Sequence, residues 1–126
     1  MLVKHLYIFS VRPLSPAITG YTGSIEETTL LDVTCTTTGS RPRATLHWTI
    51  GQKDVTSAAT ERFSYITASD TYTVISDLTY NVGKSDNGQV LICKADNVAA
   101  LSDVKTPITL NVKCKFKKYV FICLQN

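Results

Sequence analysis

Histidine is scarce in this chain of 126 residues: there are two, His5 and His47, beside one tryptophan and one methionine. A catalytic centre needs a nucleophile with a base beside it, or convergent metal ligands. His5 lies near the start of the chain, and His47 falls at an outward position of a strand-like run, where a surface residue belongs. No cysteine pair has zinc spacing. Cys114 and Cys123 stand nine apart with a basic, histidine-free run between them. No Gly-rich phosphate loop occurs. These absences exclude an enzyme and imply no cofactor and no metal.

Long apolar runs are missing as well. Residues 6–11 are apolar apart from Ser10, but Lys4, His5 and Arg12 bracket them, and a secretory h-region needs roughly 7–15 apolar residues. Residues 119–124 are apolar, yet a membrane span needs about 20. The chain thus shows no clear signal peptide or transmembrane helix, and reads as a piece of something longer or an incomplete gene model. No stretch sustains a helical period, while Thr, Ser, Val and Ile abound, so the fold is expected to be all-β. There is no Asn-x-Ser/Thr sequon: Asn81, Asn87, Asn97 and Asn111 all lack the hydroxyl residue. Sheet faces are then clear of N-glycan, which permits face-to-face pairing. The net charge of +3 is unevenly placed, because Lys113, Lys115, Lys117 and Lys118 follow the last acid. Residues 1–112 carry nine basic and ten acidic residues, a net of −1. Nucleic-acid binding through overall basicity is excluded.

What is present is a set of alternating runs. Leu30-Leu31-Asp32-Val33-Thr34-Cys35, Thr45-Leu46-His47-Trp48-Thr49-Ile50 and Gln89-Val90-Leu91-Ile92-Cys93 each alternate with period two, as half-buried strands do. Cys35, Trp48 and Cys93 share the inward parity. Two facing strands with inward cysteines can form an inter-sheet bridge, and an inward Trp can pack against it, the constellation of an immunoglobulin sandwich. The competing reading is two buried free cysteines in another β domain. A bridge closing this loop contributes about 4 kcal/mol in the chain-entropy model, against a total stability of about 5–15 kcal/mol for a small domain.

Around this centre, residues 6–11 read as a first edge strand, interrupted by Pro13 and Pro16. Residues 28–37 form the next, with Leu31, Val33 and Cys35 on one face. Gly39-Ser40-Arg41-Pro42-Arg43 is a turn cluster, and Gly51-Gln52-Lys53-Asp54 a tight connection. Residues 62–67 make a short strand and 72–82 a longer one, with Val74, Leu78 and Tyr80 on one face. After the turn at 85–88, Leu91, Cys93 and Ala95 point inward. The final strand is expected at 106–112, with Ile108, Leu110 and Val112 inward. The total of about seven or eight antiparallel strands predicts a two-sheet sandwich. Residues 1–112 are expected to form the domain, with 113–126 a basic then apolar tail outside the core. Cys114 and Cys123 are expected to bond to neither Cys35 nor Cys93. The turn at 116–119 that would let them pair with each other has no Gly, Pro, Asn or Asp. The lysine cluster is read as a solvated tail, since positive charge on the outer side would oppose the positive-inside rule.

Gly39-Ser40-Arg41-Pro42, Ala44-Thr45-Leu46-His47-Trp48, Asp86-Asn87-Gly88 and Leu91-Ile92-Cys93-Lys94-Ala95-Asp96-Asn97 together resemble the C2-type immunoglobulin domains of nephrin-like and nectin-like adhesion receptors, over roughly residues 11–112. The resemblance implies the Cys35–Cys93 bridge. It also implies a receptor of several such domains, on the extracellular side of the plasma membrane, that recognises another cell-surface protein. That partner would itself be immunoglobulin-like, homophilic or heterophilic, and the membrane would be reached only through parts beyond this chain. One departure is Leu91, at the position two before the second cysteine where a tyrosine normally makes the corner hydrogen bond. Muscle-type intracellular domains usually keep that tyrosine, so its absence leans towards the adhesion group. An immune recognition receptor domain, membrane-bound or secreted, and a purely structural spacer share the same physics.

Two sites are expected on this frame. An ion pair between Arg62, opening its strand, and Asp86, in the turn before the Cys93 strand, would close one end of the sandwich. Parity lists an outer face: His47, Thr49, Val90, Ile92, Lys94, Thr109 and Asn111. There Val90 and Ile92 would make a small apolar patch within a polar rim, as interfaces do. Val and Ile also occur singly on surfaces for β-propensity alone.

Overall fold

The structure, a computed structural model, describes residues 10–100, 102, 104–115 and 120–122. The strands are β1 (Ala17–Thr19), β2 (Ile25–Glu26), β3 (Leu30–Ser40), β4 (Thr45–Ile50), β5 (Lys53–Asp54), β6 (Ala59–Ile66), β7 (Thr71–Asn81), β8 (Val90–Asp96), β9 (Val104–Thr109), β10 (Val112–Lys115) and β11 (Val120–Ile122). Two four-stranded antiparallel sheets, ordered β1-β3-β7-β6 and β5-β4-β8-β9, form the sandwich. A small third sheet, β11-β10-β2, contains the parallel pair β2–β10. The all-β sandwich expected from the alternating runs is therefore present.

The alternation has the expected cause and effect. On β3 the residues Leu31, Val33, Cys35 and Thr37 are buried, and Asp32 and Thr38 exposed. On β4 and β8, Leu46, Trp48, Ile50, Leu91, Cys93 and Ala95 are buried against them. One continuous cluster results, with Leu110 and Val112 closing one end and Tyr80 packed partly against it. The β3–β7 register slips between Thr37 and Ser40, and Gly39 there has φ +77°, a left-handed conformation open to glycine at little cost. The β4–β5 turn has a second such demand. Gly51 has φ +59°, and a Cβ on it would lie 2.4 Å from the Gln89 side-chain oxygen.

Several boundaries differ from the sequence expectation. The predicted first strand lies outside the described residues except for Ser10 and Val11. Val11 makes an isolated bridge to Arg41. The strand expected at 62–67 begins three residues earlier, at Ala59. The tight connection at 51–54 includes the two-residue strand β5. The single final strand expected at 106–112 is two strands. Val104–Thr109 pairs with β8, carrying Pro107 on the sheet edge, where a missing N–H costs no ladder bond. At Leu110 the chain still exchanges backbone hydrogen bonds with Gly88 and Gln89. Then Asn111 N–H donates to the Tyr21 hydroxyl and Val112 N–H to Asn87 Oδ1, so side chains stand in for the β8 partner. From there the strand pairs with β2 and runs across the Val112 boundary to Lys115. Cys114 is disulfide-bonded, and Cys123 lies outside the described residues.

Candidate functional site

The centre of the sandwich is the pair Cys35–Cys93, bonded across the two sheets with a Cα separation of 6.5 Å. Trp48 is the direct cross-strand partner of Cys93 on the same inward face, and all three are fully buried. A buried indole needs a partner for its N–H. It finds one in Ser76 Oγ, 2.9 Å away on β7, itself buried. Leu91, at the position of the missing corner tyrosine, is fully buried in the core.

The expected Arg62–Asp86 ion pair is not formed. Arg62 Nε lies 3.4 Å from Asp77 Oδ2, and Asp86 Oδ1 lies 3.7 Å from Lys53 Nζ. The early start of β6 explains this. It moves Arg62 three positions along the strand, about 10 Å at the usual rise, placing it opposite Ile75 and away from the turn that carries Asp86. Asp86 is buried and also accepts the Gly83 N–H at 2.9 Å. Lys53, on β5, reaches it and also donates to the Tyr80 hydroxyl. That hydrogen bond, helped by Asp86, raises the Lys53 pKa above its ordinary value.

The outer face of the β5-β4-β8-β9 sheet is built in cross-strand rows. One runs Asp54, Thr49, Ile92, Pro107; the next is His47, Lys94, Lys105; a third pairs Val90 with Thr109. Six of the seven residues assigned to this face by parity fall in these rows. Asn111 lies past the end of β9, where its carbonyl accepts the Ile25 N–H of β2. Val90 and Ile92 face outward but are half-buried, so the apolar patch is narrower than expected. Asp54, Lys105 and Pro107 were missed. Counting back by twos from Thr109 would have found Pro107 and Lys105 had the strand been started at Val104. His47 Nε2 lies 3.4 Å from Thr45 Oγ1. Asp54 accepts the Thr56 N–H, which lowers its pKa.

Among the described residues, the largest exposed aromatic surface lies elsewhere. Phe63 and Tyr65, 53% and 47% exposed on β6, sit beside Tyr72 of β7 and the turn residues Arg41, Arg43 and Asp70, around an open slot of about 470 Å³. In sequence, Phe63 and Tyr65 have core parity, which concealed them. Among the described residues no helix is long and apolar enough to cross a membrane, and no three His, Cys, Asp or Glu side chains converge as metal ligands.

Residues 16–103 match the family model described as a CD80-like C2-set immunoglobulin domain. Human cell adhesion molecule 2 is 33% identical over 89 residues, which is 68% of this chain and 19% of that protein. Human cell adhesion molecule 3 is 32% identical over 85 residues, 68% of this chain and 21% of that protein. The chain thus spans about a fifth of the length of the curated relatives it matches. The solved ectodomain of mouse nectin-like molecule 4 superposes with a TM-score of 0.70 at 23% identity, covering 83% of this chain and 35% of that one. Inter-sheet disulfide, buried tryptophan and two-sheet topology agree with this match over more than half of the chain, which belongs to the C2-set immunoglobulin domains.

Proposed function

We propose that this chain is a protein-binding module of an extracellular cell-adhesion receptor, and that it pairs with another cell-surface protein, itself immunoglobulin-like. What supports this reading above all is its likeness to cell adhesion molecules 2 and 3 along most of the sandwich. The face that would make the contact is the outer side of β5-β4-β8-β9. Val90, Ile92 and Pro107 form its apolar centre, and His47, Thr49, Lys94, Lys105 and Thr109 its polar surround. A flat sheet face with a modest apolar middle and hydrogen-bonding margins suits a protein partner better than a small molecule. The reading carries no catalytic step.

The test is Ile92→Lys in the full receptor, scored by cell aggregation or bead clustering, with the fold checked by thermal melting. Ile92 is half-buried at the middle of its row, so a lysine there places an ammonium in the contact without entering the core. Loss of clustering from a folded variant is the expected result. Clustering unchanged would remove this face from the contact and leave the domain as a spacer between binding domains.

A further inference from the structure

A cluster of exposed aromatic and charged side chains lies at the β6 margin, on the overhang of the β1-β3-β7-β6 sheet, around the slot described above. Phe63, Tyr65 and Tyr72 form a connected set of rings. Phe63 and Tyr72 meet edge-on with centroids 6.2 Å apart, and Tyr65 and Tyr72 are tilted at 5.3 Å. The set is fixed from outside. The Tyr65 hydroxyl donates to Asp70 Oδ1, and Arg41 Nη1 lies 3.1 Å from Asp70 Oδ2 and 2.8 Å from the Asp70 carbonyl oxygen. Asp70 is the one carboxylate among the residues lining the slot, and these two contacts occupy it. Glu61, two residues along the same face of β6, accepts the Leu46 N–H at 3.2 Å and caps the open edge of β4. Arg43 is different. Its guanidinium lies 3.9 Å over the Phe63 ring and makes no ion pair among the described residues.

From this arrangement we infer that the slot binds an acidic segment of a partner protein, with a carboxylate on the Arg43 guanidinium and a neighbouring apolar or aromatic side chain against Phe63, Tyr65 and Tyr72. The charge is complementary: one guanidinium remains uncompensated at the mouth of an apolar slot whose own carboxylate is spent. Stacking on Phe63 leaves the N–H edges of Arg43 available for a bidentate carboxylate. Tyrosine and arginine held in a fixed arrangement are the residues that dominate protein–protein contacts, because little freedom is lost when they bind. A single unpaired cation is too few for a nucleic-acid backbone, where affinity grows with each phosphate neutralised. The surface is independent of the β5-β4-β8-β9 face and belongs to the other sheet.

The experiment is an NMR titration of the isotope-labelled chain with acetyl-Gly-Glu-Leu-Tyr-Glu-Gly-amide, with the same peptide carrying Gln for Glu, and with N-acetylneuraminic acid. The acidic peptide is expected to shift the Arg43 side chain and the Tyr65 and Tyr72 rings saturably. The Gln peptide should bind about tenfold or more weakly, as loss of a charge-assisted pair requires. Arg43→Gln, at an exposed position, should abolish the difference between the two peptides while lowering the melting temperature by no more than a few degrees, the scale of one exposed cation–π contact. Equal binding of both peptides, shifts confined to other surfaces, no saturable shift, or saturable binding of the sugar acid in place of the peptide would each overturn the assignment.

Discussion

The middle of the sandwich and its β6 margin carry the same alternating pattern with opposite results. On β3, Leu31, Val33 and Cys35 take inward parity and are almost completely buried. On β6, Phe63 and Tyr65 take the same parity towards the facing sheet, Phe63 opposite buried Val74, and remain about half exposed. Parity fixes the direction of a side chain, but coverage depends on what lies across from it. Opposite β3 and β7 stand β4 and β8. Opposite β6 the second sheet tapers to the two-residue β5, so the margin overhangs. The open edge of β4 is closed by side chains instead, Glu61 to Leu46 N–H and Thr56 to Trp48 N–H, which also discourages edge-to-edge pairing.

The contrast can be tested from its strongest point outward. Replacing Cys35 and Cys93 together by alanine should remove about 4 kcal/mol by the chain-entropy model, read as a lower denaturant midpoint in equilibrium unfolding. A loss of only a few tenths would mean that the bridge does not dominate the centre. Next is Ser76→Ala, which strips the buried Trp48 indole of its acceptor and should cost about 1–3 kcal/mol. Phe63→Ala is expected to cost no more than about 1 kcal/mol, the scale of an exposed cation–π contact. A core phenylalanine costs about 3–5 kcal/mol, and a value in that range would make the margin part of the core. The smallest effect is a titration. The hydrogen bond to Asp70 raises the Tyr65 pKa. A phenol raised in this way stabilises the fold below the ordinary tyrosine value of about 10, and the contribution is lost as pH climbs through the raised value. Tyrosinate absorbance should show a late-ionising component that Asp70→Asn moves earlier.

The same contrast explains what the sequence could and could not disclose. Cys35, Trp48, Leu91 and Cys93 were legible because both neighbours in space are long alternating strands, so period and burial coincide. Ser76 was not, since a serine on an inward position looks like an interruption until the indole across the core is known. Arg62 and Asp86 failed because an ion pair depends on where a strand begins, and polar β6 has no sharp start. The split of the last strand was hidden for a related reason. Leu110 and Val112 keep their inward parity through the change of partner, and the Tyr21 and Asn87 contacts that make the change come from distant segments. The β6 slot was invisible because overhang is a property of the opposite sheet, set by the brevity of β5.

The passage of the last strand from β8 to β2 has a mechanical consequence. β2 and β10 run parallel, joined by Ile25 N–H to the Asn111 carbonyl and Glu27 N–H to the Lys113 carbonyl. When tension enters through the chain before Ile25 and leaves through the chain after Lys115, the two strands are drawn in opposite senses along their common axis. Their hydrogen bonds are then loaded together in shear, whereas a hairpin pulled open at its ends yields one bond at a time. Under such a load this short parallel seam carries the tension in place of bonds that open singly.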